Sequence, residues 1–114
     1  MRSPSWTRDE VILALDLYFR KGRRIPVPSD PDVIELSRLL NAMTTHPQNV
    51  RPPKFRNPSG VVLKLANFRA LDPESEGTGM TSIGRMDRVV WDEFANDLHK
   101  LQQAAYLVRR SIQD

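Results

Sequence analysis

The side chains of this 114-residue chain that could do chemistry fall into three sets: a few carboxylates, two histidines and a run of cations. Asp9 and Glu10 stand together near the start, and Asp92, Glu93 and Asp97 near the end. Acid–base catalysis needs two groups whose surroundings push their pKa values apart, and none of these carboxylates has a partner at useful spacing. Charge that complements a helix dipole, plus a wet helix face, accounts for them. His46 and His99 lie far apart, without a second His or Cys at ligand spacing, and the chain has no cysteine. No catalytic residue, metal site, disulfide or cofactor is therefore expected. His46 sits in a loop where it could donate to a phosphate, and His99 reads as a rim residue. The glycines of GTGMTSIG lack the Gly-Lys-Ser/Thr ending that brings a lysine to phosphates.

The cations carry more information. Formal net charge is only +3, but no Asp or Glu occurs from Leu36 to Leu71. That segment holds Arg38, Arg51, Lys54, Arg56, Lys64 and Arg69, plus His46. A one-sign segment in a mixed-sign chain is the electrostatic footprint of phosphate binding, or else a solvated basic face. Within it, RPPKFRNPSGVVLKLANFRALDP (residues 51–73) joins a basic, proline-rich half to an apolar half. A DNA-reading element needs cations for phosphates, a rigid element that enters a groove, and short polar groups or arginines at its N-terminal end. On this reading Arg51, Lys54, Lys64 and Arg69, joined by Arg85 and Arg88, meet phosphates. Arg56, Asn57 and Ser59 meet base edges, with Asn57 divided between capping a helix and reading a base.

The elements that must position these groups are helical. Thr7 and Glu10 form a capping box, Trp6 is placed to staple onto Val11, and Val11, Ile12, Leu15, Tyr18 and Phe19 predict a helix to about Lys21 that stops at Gly22. Three prolines break residues 20–31. Asp30-Pro31 then caps a second helix to about Met43. Residues 44–58 form a long loop. Asn57-Pro58-Ser59 repeats the cap, and Val61, Leu65 and Phe68 predict a helix from Pro58 to about Ala70; VVLKL could form a short strand, but the cap and the following Ala66-Asn67-Phe68 favour helix. Residues 72–85 form a second loop. Asp87 is expected to cap one long final helix whose Trp91, Phe94, Leu98, Leu101, Ala105, Val108 and Ile112 make an unbroken a/d seam. That seam suits the core of a small domain, or alternatively a helical protein-interaction or dimerisation face. The expectation is a single all-α domain over 1–114, ordered over about 5–112, with about four helices and two long functional loops. No apolar run reaches the ~20 residues of a membrane span, and MRSPSWTRDE has no signal-peptide core, which fits a cytoplasmic protein.

The series WTRDEVILALDLYFR, VIELSRLLN, FRNPSGVVLKLANFRALDP and VWDEFANDLHKL resembles the N-terminal domain of McrA-like HNH restriction endonucleases over roughly residues 5–112. The resemblance implies a bacterial reader of duplex DNA containing 5-methylcytosine, within a modification-dependent restriction system. A separate HNH nuclease domain would cut, and this chain alone would not be an enzyme. A reader needs an apolar wall for the methyl group; Trp6, Tyr18, Phe55 and Val50 are the candidates. The expected partner is double-stranded, methylated DNA, bound in a sequence-tolerant way, with no membrane and with a homodimer or a tethered nuclease domain as further possibilities.

Overall fold

The computed structural model describes residues 2–75 and 83–113. Five helices occur there: α1 (Arg8–Arg20), α2 (Pro31–Ala42), α3 (Pro58–Leu71), α4 (Arg85–Phe94) and α5 (Leu98–Gln113), with a 3₁₀ turn at Gln48–Val50. No strand occurs among the described residues, so Val61-Val62-Leu63-Lys64-Leu65 is helix. The loop expected over 72–85, including most of GTGMTSIG, lies largely outside the described residues.

α1 is the axis of the fold. It touches all four other helices, and these touch one another in the cyclic order α2–α3–α4–α5–α2. A helix surrounded in this way must be buried all round. Every residue from Glu10 to Tyr18 is buried, including Leu13 and Leu17 on the side away from the Val11–Leu15–Tyr18 stripe. The ring supplies Val33, Leu36 and Leu40 from α2, Val61, Leu65 and Phe68 from α3, Val90 and Phe94 from α4, and Leu101, Ala105 and Val108 from α5. Tyr18, Phe19, Phe68 and Trp91 form an aromatic cluster with ring centroids 5.4–6.4 Å apart. The radius of gyration, 13.3 Å, is that of a compact chain of this length.

The local signals act where the sequence places them. The Thr7 N–H donates to Glu10 Oε1 at 2.9 Å and the Glu10 N–H to Thr7 Oγ1 at 3.4 Å, closing the capping box. Asp30 and Asn57 cap α2 and α3, each followed by proline. Gly22, with φ of 68°, takes the left-handed turn after α1.

The final helix is divided, which corrects the four-helix expectation. α4 ends at Phe94, and the Asp97 carboxylate accepts the Lys100 N–H at 3.1 Å, opening α5. Asn96 and Asp97 are residues whose side chains compete with a continuous helical ladder. Asp87 is not the N-cap of α4; Gly84 is, and Asp87, three residues on, accepts the Gly84 N–H at 3.0 Å. The apolar stripe survives the break as core. Phe94, Leu101, Ala105 and Val108 are buried, Trp91 and Ile112 pack against them, and Leu98 is exposed. No helix of the described residues is long and apolar enough to cross a membrane.

Candidate nucleic-acid interface

The basic segment enters α3 through a tight turn at Phe55-Arg56. Arg56 has φ of 48°, a left-handed conformation that costs a non-glycine residue about 1 kcal/mol and persists only where its surroundings hold it. Its carbonyl accepts the Ser37 hydroxyl at 2.7 Å. Its guanidinium points inward. Nε donates to Glu10 Oε2 at 2.8 Å, and Nη2 donates to Glu10 Oε1 at 3.1 Å and to the Pro4 carbonyl at 2.9 Å. The cation lies between the rings of Trp6 (4.7 Å) and Phe55 (4.4 Å). Arg56 is 4% exposed and Glu10 not at all. His46 Nε2 lies 3.1 Å from Glu10 Oε1 and completes the cluster. Burial alone would push the Glu10 carboxyl up. The bonds from Arg56 and the Thr7 N–H outweigh it and hold the group below the ordinary carboxylate value.

Arg56 therefore does not stand at the surface as a base-reading group. The open question at Asn57 is answered as well: its Oδ1 accepts the Gly60 N–H at 2.8 Å, so the side chain is occupied as the cap. Ser59 is exposed on the first turn of α3.

Two of the expected phosphate contacts are engaged inside the fold. Arg51 donates to the carbonyls of His46 (2.9 Å), Asn41 (2.9 Å) and Met43 (2.5 Å) and lies over Phe55. It staples the loop after α2. Lys64 Nζ meets both oxygens of the buried Asp87, at 3.0 and 3.2 Å, and also faces Trp6. It ties α3 to α4 and does not occupy the free side of α3. Lys54, Arg69, Arg85 and Arg88 are exposed and have no ion-pair partner among the described residues. Four of the six expected phosphate contacts thus stay exposed, because loop carbonyls take Arg51 and the Asp87 carboxylate takes Lys64.

The candidate methyl wall divides in the same way. Tyr18 is fully buried, with its hydroxyl donating to Asp72 Oδ2 at 2.7 Å, and Phe55 is buried between two arginines. Neither offers a face to a ligand in this structure. Trp6 is half-buried beneath Arg56 and Lys64. Val50, on the 3₁₀ turn, is 38% exposed.

Among the remaining groups, Glu93 takes two bonds from Arg8, at 2.6 and 2.7 Å, and His99 is exposed beside Gln103. Among the described residues no three His, Cys, Asp or Glu side chains are grouped to hold a metal ion.

The organising role of the buried carboxylates is the feature the sequence reading missed. Glu10, Asp16, Asp72 and Asp87 are all buried, and each bonds a cation from another part of the chain: Arg56, Arg109, Arg23 and Lys64 respectively. The available signal was indirect. Glu10 and Asp16 sit within a run so apolar that a charge there demands a partner. No family model, no curated protein and no solved structure matches this chain.

Proposed function

We propose that this chain is a duplex DNA-binding module that prefers 5-methylcytosine and acts in the cytoplasm as the reader part of a modification-dependent restriction system. Cleavage on this reading belongs to a separate nuclease domain. The observation that supports it best is the set of exposed cations Lys54, Arg69, Arg85 and Arg88, which have no ion-pair partner among the described residues. They lie on α3, on the loop before it and on the first turns of α4, and the Lys64–Asp87 pair holds those two helices together. Arg2, Arg24 and Arg110 are exposed too, but elsewhere in the chain. The preference for the methyl group comes from the resemblance of the FRNPSGV and KLANF runs to McrA-like readers.

Four phosphate contacts give a salt slope near −3.6, so affinity should fall about 10²-fold between 50 and 200 mM salt. One methyl group buried against an apolar wall adds about 1 kcal/mol, roughly fivefold. Titration of identical methylated and unmethylated duplexes at several salt concentrations checks both. Lys54→Ala with Arg88→Ala should lower the slope by about 2. Equal affinity for the two duplexes would remove the methyl preference, and no binding at low salt would remove the reading altogether.

A second reading, a protein-interaction module, rests on the outer face of α5, where Tyr106 and Leu107 are 57% and 63% exposed. It replaces the a/d seam, whose residues other than Leu98 are taken up by the core or pack against it. Loss of self-association or nuclease docking on Leu107→Asp, with DNA binding unchanged, would favour it.

A further inference from the structure

With Arg56 and Asn57 occupied inside the fold, Ser59 alone of the expected base-reading groups stays exposed, and a hydroxyl, which can meet any base, selects poorly among them. We propose that Gln48 and Asn49 are that group, and that their amides take adenine of an A·T pair in the major groove. The inference rests on the DNA-binding reading above. Both residues are exposed, and neither amide has a hydrogen-bond partner among the described residues.

Their backbone, by contrast, is fixed. The Val50 N–H donates to the Pro47 carbonyl and the Arg51 N–H to the Gln48 carbonyl, both at 3.1 Å. The Arg51 guanidinium holds the carbonyls of Asn41, Met43 and His46 at 2.5–2.9 Å. A pinned turn spares the backbone ordering cost on binding, so that only the rotamers of the two amides have to be fixed.

The chemistry selects the base. A carboxamide sets an acceptor and a donor side by side, the complement of the N6 donor and N7 acceptor of adenine. Guanine offers two acceptors there, which a single amide matches poorly. Val50 follows on the same turn and is 38% exposed, placing an apolar contact where thymine or 5-methylcytosine carries its methyl group. Lys54 stands exposed a few residues on and supplies a phosphate contact. Asp9 shares a small polar depression with Thr44 and Thr45, so the DNA backbone would approach from the Lys54 end of the loop.

The test starts from duplexes selected out of a random pool by the wild-type protein, followed by anisotropy titrations. Wild type should prefer an adenine at one position over guanine by about 5–150-fold. The 7-deazaadenine duplex, which lacks the N7 acceptor, should lose much of that preference. Gln48→Ala with Asn49→Ala should bind all three duplexes within about twofold, with the wild-type salt slope. Adenine preference surviving in the double variant overturns the inference, as does an equal loss on every sequence. A wild type that binds DNA with no base preference overturns this inference alone. A wild type that binds no duplex overturns the DNA-binding reading and this inference together.

Discussion

Replacing Arg56 by alanine should destabilise the protein far more than a surface arginine would. The guanidinium makes two bonds to a carboxylate with no solvent exposure and a third to the Pro4 carbonyl. Its removal strands Glu10 with only the Thr7 N–H and His46. Breaking a buried pair from one side costs about 3–5 kcal/mol, against a total stability of about 5–15 kcal/mol for a domain of this kind. With a urea slope near 2 kcal/mol/M, the unfolding midpoint should fall by about 2 M. The pH dependence gives a second readout. In the wild type the Glu10 carboxyl sits below its ordinary value of 4.5. Its contribution is therefore complete above pH 4.5 and is lost as pH falls through the lower folded value. Without Arg56, burial dominates and raises that carboxyl, so the variant should regain stability as pH drops from 7 towards 5. Adding Glu10→Gln should restore part of the loss at pH 7. Urea titrations of the single and double variants across pH 4–7 check all of this. A cost under about 1 kcal/mol, or strictly additive effects of the two substitutions, would refute the buried-pair reasoning and return Arg56 to the surface. Loss of DNA binding in Arg56→Ala is therefore no evidence of a base contact unless the fold is shown intact.

Tyr18→Phe should cost about 1.5–3 kcal/mol by chemical denaturation, because the hydroxyl bonds the buried Asp72 carboxylate. Burial and that carboxylate also push the Tyr18 phenol above its ordinary value of 10.0, so its contribution is complete below pH 10 and fades as pH rises further; ultraviolet titration should show it ionising late, with unfolding. Leu101→Ala should cost about 2–5 kcal/mol by thermal or urea melts, since Leu101 is 1% exposed, whereas Leu107→Ala should stay within about 0.5 kcal/mol.

What the sequence shows of this fold is what is local. Thr7 with Glu10, Asp30-Pro31, Asn57-Pro58 and Gly22 act within four residues of themselves, and each marks a helix end found in the structure. The division at residues 95–97 is harder to read, because the apolar spacing runs through it and only the Asp97 side chain records it. The site is less legible still. Arg56 meets Glu10 across 46 residues and Lys64 meets Asp87 across 23. Charge density along the chain cannot distinguish a cation that will find such a partner from one left in water. Lys54 and Arg56, two residues apart, end on opposite sides of that distinction.

The enclosure of α1 also has a consequence for biosynthesis. Of the five helices described, the one made before the others is the one that must be covered on every side, and its Asp16 waits for Arg109, 93 residues later. At about 5–20 residues per second, that interval is roughly 5–20 s, during which Leu13, Leu15 and Leu17 have no complete shelter. A helix this apolar in a half-made chain is a target for chaperones that hold exposed leucine-rich segments, so the yield of folded protein in the cell should depend on the pace of translation as well as on final stability.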